Sequence, residues 1–182
     1  AHKLTILSSV AFGIPLQFDQ CYTEGISKVS AEDVANAESL GYRIKHLGLT
    51  RRTETGIELR VHPTMIPEKR LIANVHGVMN AVLVEGNAVG PTMYYGAGAG
   101  AEPTASSIVA DLVDVARDMA VDQNVRMPSL AFQQDAMLDT PILPMDKVIT
   151  AFYMRMTVSD KPGVLAQITQ ILGDAGISIE AI

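Results

Sequence analysis

The sequence predicts an α+β fold: a mixed, largely antiparallel sheet with helices on one face, followed by a separate β-α-β unit. Residues 57–62 and 152–158 alternate between apolar and polar side chains, which is typical of half-buried strands. Apolar residues recur at helical spacing within 104–120 and 164–172. Gly86-Asn87 separates two apolar runs, and this pattern indicates a hairpin of antiparallel strands.

The chain opens with two predicted helices. Gly13 and Pro15 end the first, whose apolar residues at helical spacing are Leu4, Leu7, Val10 and Ala11. In the second helix, Ser30 precedes Asp33 by three residues, a weak form of the capping box, and the helix is expected to run up to Gly41. Because the first helix has no N-terminal cap in the sequence, we expect further chain upstream.

Two strands follow the helices. Apolar side chains at Ile44, Leu47 and Leu49 predict the first strand. A turn over residues 51–56 leads into the second strand at 57–61, and Pro63 and Pro67 are expected to mark its exit. Residues 71–75 then predict a helical turn before the hairpin. Residues 78–85 and 88–95 form that hairpin, with Gly86-Asn87 as a tight two-residue turn.

A glycine-rich segment, residues 96–101, lies between the hairpin and the helix predicted at Thr104–Ala120. Its G-x-G-x-x-A spacing resembles a dinucleotide-binding turn, but three features oppose that assignment. The preceding strands form a hairpin, Glu102-Pro103 interrupts a smooth entry into the helix, and no acidic residue ends a second strand about 20 residues on. Two interpretations stay open: a loop packed on its own backbone, or a segment that lets a ligand touch the backbone at a helix N-terminus.

The last third of the chain is predicted to contain a connecting segment and a compact unit. Between residues 121 and 148 the periodicity fades, with at most a short strand near its end. Residues 152–158, 164–172 and 177–181 then predict strand, helix and strand. The helix of this β-α-β unit ends at Gly173 or Gly176.

Composition excludes several classes of protein. Lys and Arg total 14 against 20 Asp and Glu, a net charge of -6, so nucleic acid is not expected as a partner. No apolar run approaches the length that spans a bilayer. The single cysteine, Cys21, cannot form an internal disulfide and favours a reducing, cytoplasmic location. The four histidines and this cysteine share no metal-ligand spacing, so we expect no metal site.

Several segments resemble homoserine dehydrogenases in the same order. They are the opening helix (AHKLTIL), residues 62–67 (HPTMIP) and residues 96–107 (GAGAGAEPTASS). Residues 160–165 (DKPGVL) resemble the turn that begins the helix of an ACT domain, whose fold is ferredoxin-like. The resemblance implies a substrate-binding and dimerisation domain over residues 1–125, a linker over 126–148 and a partial ACT regulatory domain over 149–182, with the nucleotide-binding domain upstream.

The resemblance also implies a reaction and its residues. The expected activity is NAD(P)-dependent interconversion of L-aspartate 4-semialdehyde and L-homoserine, within threonine, methionine and isoleucine synthesis. Lys3 matches the family's catalytic lysine, whose ammonium donates a proton to the aldehyde oxygen. Gly100 matches the glycine that approaches the NADP or NAD cofactor. The family places an aspartate one helical turn before this lysine, upstream of the chain, so the chain alone is expected to be inactive.

The resemblance leaves the role of the last unit open. Asp160 and Gly163 are candidates for binding an amino-acid effector such as threonine, and the alternative is an ACT-like module used only for dimer contacts. A homodimer built through the sheet is expected. A second hypothesis comes from another class: a non-catalytic, amino-acid-binding regulator in which the ACT-like segment is the functional part.

Overall fold

The computed structural model describes residues 1–122 and 125–182 and confirms the α+β class. Its strands form two sheets, one with the order β1-β3-β2 and one containing β4 and β5. Among the named strands of the described residues, β1 and β3 pair in parallel and the other two pairs are antiparallel, so the sheets are mixed and largely antiparallel. The elements are α1 (His2–Phe12), β1 (Tyr22–Thr23), α2 (Ala31–Ser39), β2 (Tyr42–Arg52), β3 (Ile57–Pro67), β4 (Met79–Gly86), β5 (Gly90–Ala97), α3 (Ala101–Met119) and α4 (Val164–Asp174).

Both N-terminal helices end or begin at the predicted signals. α1 ends at Gly13, which adopts the left-handed conformation (φ 65°) and donates its N–H to the Ser9 carbonyl. α2 begins at Ser30 with a complete capping box: the Ser30 hydroxyl accepts from the Asp33 N–H, and the Asp33 carboxylate accepts from the Ser30 N–H. These local hydrogen bonds fix where each helix starts or stops.

The core lies between α1 and the three-stranded sheet. Its buried residues come from α1, β3 and two connecting segments, and they are Leu4, Ile14, Ile57, Leu59, Val61 and Ile142. Gly48 on β2 lets Leu4 pack closely on the sheet, because a Cβ there would stand 3.3 Å from Leu4 Cδ1. The Ser8 and Thr50 hydroxyls are 2.9 Å apart and join the same two elements. α1 is thus seated on the sheet along one face.

Strand β3 runs further than the prolines predicted. It continues through Pro63 to Pro67, and Pro63 is opposite His46 in the ladder with β2. β1 pairs with β3 at Arg60 and Val61, and beyond that point the described residues give β3 a neighbouring strand on one side alone. A residue without an N–H is tolerated there, as it is on edge strands.

The β4–β5 hairpin forms, but its turn is longer than predicted. Gly86 is paired with Gly90, which leaves three residues, 87–89, in the turn. Gly90 has a φ of 75°, a conformation that glycine adopts without a steric cost. The second glycine therefore shifts the turn away from the Gly86-Asn87 dipeptide.

Helix α3 begins at Ala101, the last residue of the glycine-rich segment, and continues through Glu102 and Pro103, so the expected interruption there is wrong. Pro103 lies within the first helical turn, where a missing N–H breaks no intrahelical hydrogen bond. The predicted apolar stripe is present and remains exposed in the part of the chain that the structure describes. Its large side chains are Ile108, Leu112, Val115 and Met119. None of the described helices is long and apolar enough to cross a membrane.

The connecting segment after α3 contains no strand in its described part, yet it packs on the core. The Leu138 N–H donates to the Gly13 carbonyl at the end of α1. An isolated parallel bridge joins Ile142 to Ile57 at the start of β3, and Ile142 is buried. Residues 123 and 124 of this segment, next to the expected domain boundary at 125, lie outside the described residues.

The final unit forms its helix but not its two strands. α4 covers Val164–Asp174 and confirms the helical stripe, and Gly176 follows it with a φ of 72°. Residues 152–158 and 177–181 were expected as strands, and the structure assigns neither as one. A strand is stabilised by a hydrogen-bonded neighbour, and in a split β-α-β unit a strand from the second half lies between the first two. Among the described residues neither segment pairs with another strand, so the alternating sequence does not form a strand.

Candidate active site

Lys3 lies near the start of α1, on the side of the helix that faces away from the sheet. The residues that follow it anchor the helix, because Leu4, Thr5, Ser8 and Ser9 are buried. Lys3 itself is exposed, and its ammonium makes no hydrogen bond or ion pair with the residues that the structure describes. The lysine is thus held on a fixed helix with its charge available to a ligand.

The exposed side of α1 is apolar around this lysine. Ile6, Leu7 and Val10 are 40–48% exposed and, with Lys3, follow helical spacing along one stripe. An ammonium at the end of an apolar stripe loses water when that stripe is covered. Electrostatic interactions strengthen under those conditions, so this arrangement suits stabilisation of negative charge on a substrate oxygen.

Gly100 is the residue that begins α3. Its backbone has a φ of 123° and a ψ of 158°, a conformation that side-chain-bearing residues rarely adopt. Its carbonyl accepts the first helical hydrogen bond, from the Thr104 N–H at 3.2 Å. Glycine is therefore required at residue 100 by the backbone, and the absence of a side chain leaves that backbone open to close approach.

Gly98 is required for a different reason. A Cβ at this position would overlap the Nδ2 atom of Asn80, which lies on the neighbouring strand β4. The Val78 carbonyl accepts from both the Gly98 N–H and the Asn80 amide, at 3.3 and 3.2 Å. Asn80 thus fixes the glycine segment against the hairpin, a role for which the sequence offered no signal.

The N-terminus of α3 is poorly suited to a pyrophosphate group. Pro103 has no N–H, so the first turn offers fewer donors than an ordinary helix start. Glu102 places a negative charge where the helix dipole would otherwise attract an anion. The segment fits an uncharged, planar group that touches the Gly100 backbone better than it fits a phosphate.

The structure does not join Lys3 to the glycine segment by any hydrogen bond between described residues. α1 packs on β2 and β3, whereas β4 packs chiefly on β5. The hydrogen bond from Gly98 attaches the glycine segment to the start of β4 instead. Lys3 is therefore held through α1 on the three-stranded sheet, and Gly100 follows a segment that is held by the β4–β5 hairpin.

Asp160 and Gly163 lie in the turn that precedes α4. Gly163 is the N-cap of the helix and adopts the left-handed conformation (φ 88°). Asp160 is exposed, and none of its side-chain contacts with described residues is a hydrogen bond or ion pair. Backbone N–H groups at such a helix start can bind a carboxylate, which is the chemistry that an amino-acid ligand requires.

A polar cluster that sequence analysis missed joins α2 to the last unit. The Arg155 guanidinium donates to Asp33 Oδ1 at 2.8 Å and to Glu32 Oε2 at 2.5 Å. The Tyr153 hydroxyl donates to Asp33 Oδ1 at 3.1 Å and accepts from the Asn36 amide at 3.2 Å. Only the alternation of residues 153 and 155 could have indicated that both side chains share one face.

The pKa of Asp33 is lowered to about 2. The largest cause is the hydrogen bond from the Ser30 backbone N–H, followed by that from the Ser30 hydroxyl. The Tyr153 hydroxyl and the Arg155 charge lower it further, while burial acts in the opposite direction. The carboxylate is therefore charged throughout the neutral range, where it can bind Arg155.

A second cluster is buried within the sheet. Glu58 and Arg60 are 2% and 5% exposed, and Arg60 Nη2 donates to Glu58 Oε2 at 2.9 Å. Arg51, opposite Glu58 on β2, also pairs with that carboxylate. Arg60 Nη1 is 3.3 Å from a ring nitrogen of His62. The alternating pattern predicted an exposed polar face here, but both charged side chains are covered.

Among the described residues no group of three or more candidate ligands could hold a metal ion.

Comparison with known protein families assigns most of the chain. The family model of homoserine dehydrogenase matches residues 1–113, and that of the ACT domain matches residues 152–182. A homoserine dehydrogenase of Pseudomonas aeruginosa is 66% identical over 182 residues, which is all of this chain and 42% of the relative. One from Neisseria gonorrhoeae is 56% identical over 181 residues, again covering 42% of its length.

A solved structure has the same fold along the chain. The crystal structure of a homoserine dehydrogenase from Thiobacillus denitrificans is 64% identical, with a TM-score of 0.87 over 99% of this chain and 42% of that one. A Staphylococcus aureus homoserine dehydrogenase at pH 6.5 is 38% identical, with a TM-score of 0.57 over 63% of this chain and 29% of that one. The chain thus spans less than half the length of the relatives that it matches.

Proposed function

The chain belongs to the homoserine dehydrogenase family, and we propose that it supplies the substrate domain and part of the regulatory domain of a dehydrogenase that reduces L-aspartate 4-semialdehyde to L-homoserine. This reaction belongs to the synthesis of threonine, methionine and isoleucine. The observation that carries the proposal is Lys3. It stands exposed on a helix whose other face is anchored in the core, at the position that matches the family's catalytic lysine.

We propose a division into three parts. Residues 1–125 form the substrate-binding and dimerisation domain, and residues 149–182 form the first part of the ACT domain. Residues 126–148 form the linker between them. The connecting part is not a free tether, because Leu138 and Ile142 attach it to α1 and β3. The exposed stripe of α3 then faces the nucleotide-binding domain, since an uncovered apolar helix face of that length marks a contact surface.

Lys3 acts on the carbonyl oxygen of the aldehyde. Its Nζ atom holds a proton, donates it to that oxygen as negative charge develops, and stabilises the charge before transfer is complete. The buried residues Leu4 and Ser8 keep the helix, and with it the lysine, in one orientation. The apolar stripe around Lys3 excludes water when a second domain covers it.

NADP or NAD is the proposed cofactor. Its reduced nicotinamide, when bound, supplies the hydride. Gly96 has open space where a Cβ would stand, and Gly100 is held in a conformation that leaves its backbone uncovered, so the segment fits a flat, uncharged ring. Gly100 would bind through its backbone, and Glu102 would keep the phosphates away from the helix start.

We also propose a regulatory ligand and an oligomeric state. The first candidate for the effector is threonine. The carboxylate of such an amino acid would bind near Gly163 at the start of α4, and the Asp160 carboxylate would bind its amino group. The alternative for this unit is contact between subunits alone. A homodimer is proposed, and a cytoplasmic location is consistent with the free thiol of Cys21.

The test uses the full-length protein that contains this chain. Oxidation of L-homoserine with NADP and with NAD is followed by the absorbance of the reduced nicotinamide, and L-serine is the control substrate because it lacks one methylene. We expect turnover with homoserine and a far lower kcat/KM with serine. Full-length protein that binds neither cofactor and oxidises no homoserine would favour the non-catalytic regulator, in which only residues 152–182 carry a function.

A further inference from the structure

We propose that Arg155 and Tyr153 form the joint through which the ACT segment controls the substrate domain, and that this joint holds helix α2 at its N-cap. The inference rests on the proposed function, whose regulation it specifies. Residues 153 and 155 precede the effector turn and lie within the ACT match, whereas Asp33 lies within the dehydrogenase match. Their contact is therefore a contact between the two parts of the chain.

The two oxygens of Asp33 serve the two parts separately. Oδ2 accepts from the Ser30 N–H and hydroxyl, at 2.8 and 2.7 Å, and so begins α2. Oδ1 accepts from the Tyr153 hydroxyl and from Arg155 Nε, at 3.1 and 2.8 Å. A displacement of residues 153–155 thus acts on the same carboxylate that caps the helix. The Arg155 guanidinium bridges two carboxylates, with Nε on Asp33 and Nη1 on Glu32. Because the guanidinium is planar and its donors are fixed, both contacts respond to a small shift.

The opposite face of the same segment is free to respond to the ACT fold. Phe152, Met154 and Met156 alternate with Tyr153 and Arg155 and are 47–77% exposed. These apolar side chains are the ones that an ACT sheet and helix would cover. The segment therefore has one face bound to α2 and another that senses the state of the regulatory domain.

A continuous series of packed elements leads from this joint to Lys3. α2 packs on β2, Gly48 of β2 lies beneath Leu4 of α1, and Lys3 precedes Leu4. The connecting segment is also attached, through Leu138, to the end of α1. The ACT segment is thus held at Asp33, and the connecting segment that precedes it is held at the end of α1. Tight packing between these elements can transmit a shift.

The experiment compares full-length wild type with Arg155→Gln and Tyr153→Phe, and Arg117→Gln serves as the control. Arg117 is an exposed arginine whose one ion pair with a described residue is to Asp114 on its own helix. Homoserine oxidation is measured without and with saturating L-threonine, and L-threonine binding is measured by calorimetry. Coupling free energies between sites correspond to roughly 5- to 150-fold effects. We expect the wild type and Arg117→Gln to be inhibited within that range. Without L-threonine, the two joint variants should have the wild-type rate. They should still bind L-threonine, but the factor by which L-threonine lowers their rate should be at least fivefold smaller than in the wild type.

Hydrogen exchange of residues 31–39 supplies a second readout that does not need turnover. L-threonine should change exchange in α2 of the wild type and leave it unchanged in Arg155→Gln. Equal inhibition in wild type and both joint variants would overturn the inference, as would loss of L-threonine binding in Arg155→Gln. A wild type whose rate of homoserine oxidation is changed by none of the twenty amino acids would also overturn the inference. Because that protein still oxidises homoserine, the result would not contradict the proposed reaction. Absence of turnover counts against the proposed reaction, and the exchange data then decide the inference alone.

Discussion

Gly48 on β2 lies directly beneath Leu4 on α1: a Cβ at residue 48 would stand 3.3 Å from Leu4 Cδ1 and 3.5 Å from Leu4 Cβ. Leu4 is buried in the core cluster, while the adjacent Lys3 is exposed. The packing of one residue therefore fixes the orientation of the next. The position of the lysine depends on a contact between Leu4 and Gly48, which are more than forty residues apart in the sequence.

This contact predicts a stability effect at residue 4. Leu4→Ala should lower the free energy of unfolding of the full-length protein by about 2–5 kcal/mol, because it removes buried methyl groups and leaves a cavity above Gly48. Gly48→Val should cost about 1–3 kcal/mol, since the added side chain has no space beneath Leu4. Urea unfolding measures both. Glu54→Ala, in an exposed turn, is the control and should stay within about 0.5 kcal/mol of wild type. A change at Leu4 as small as that of the control would contradict the packing described here.

The two glycines before α3 should respond differently to alanine. Gly98→Ala places a Cβ on the Asn80 amide, and Asn80→Ala removes that amide, so the double variant should recover most of the lost stability. Gly100→Ala should cost about 1–3 kcal/mol regardless of residue 80, because its strain lies in the backbone itself. Urea unfolding of wild type, the three single variants and the two double variants completes the two thermodynamic cycles. Rescue of Gly100→Ala by Asn80→Ala would show that the strain has another origin.

The buried pair in β3 predicts a large cost when one partner is removed. Arg60→Met should destabilise the protein by about 3–5 kcal/mol, because the Glu58 carboxylate then stays buried with only Arg51 beside it. Arg117→Met removes an arginine that is 76% exposed and should be nearly neutral. Thermal and urea unfolding compare the two changes. A neutral Arg60→Met would indicate that Glu58 reaches water in solution.

Asp33 predicts a loss of stability in acid. Its pKa is about 2 in the folded protein and near 3.8 in the unfolded chain, so the unfolded state takes up protons first as the pH falls. The stabilisation is fully present above about pH 4 and is lost as the pH falls towards 2. The wild type should lose more stability than Asp33→Asn between pH 5 and pH 2.5.

The carboxyl pKa of Asp33, measured by NMR, separates the causes. Ser30→Ala should raise it part of the way, because the bond from the Ser30 backbone N–H remains. Arg155→Gln should raise it by less than Ser30→Ala, since the charge of Arg155 is the smallest of the lowering causes. The reverse order would mean that the ion pair, and not the capping box, dominates at this carboxylate.

Local signals made part of the fold predictable. Gly13 and the pair Ser30 and Asp33 act through hydrogen bonds within a few residues, so the limits of α1 and α2 can be derived from the sequence. The turn at 87–89 was missed because Gly90, three residues beyond the expected turn, supplies the left-handed conformation. A choice between two nearby glycines is made by strand register, which depends on the partner strand.

Features that depend on distant contacts could not be predicted. The alternation of Glu58 and Arg60 with apolar residues correctly predicts a strand, yet burial of their face depends on what covers the sheet. Residues 152–158 have a strand pattern and no strand, because pairing requires a neighbour. The joint at Asp33 spans more than 120 residues of sequence. Lys3 and Gly100 were assigned by family resemblance, since an exposed lysine and a glycine-rich loop have no distinctive pattern of their own.

The turnover of Lys3→Ala in the full-length protein tests the proposed proton transfer by Lys3 most directly. In homoserine oxidation, the reverse of the proposed reduction, Lys3 accepts the proton that the hydroxyl loses. Proton transfer to or from a positioned group contributes roughly 100- to 10,000-fold to rate, so kcat should fall by a factor in that range. The unfolding midpoint and the affinity for NADP should stay at wild-type values, because Lys3 is exposed and its ammonium makes no hydrogen bond or ion pair with a described residue. Lys28→Ala, at another exposed lysine, should retain full activity. A Lys3→Ala protein whose kcat stays within a few-fold of the wild-type value would contradict the central claim that this lysine carries the chemistry.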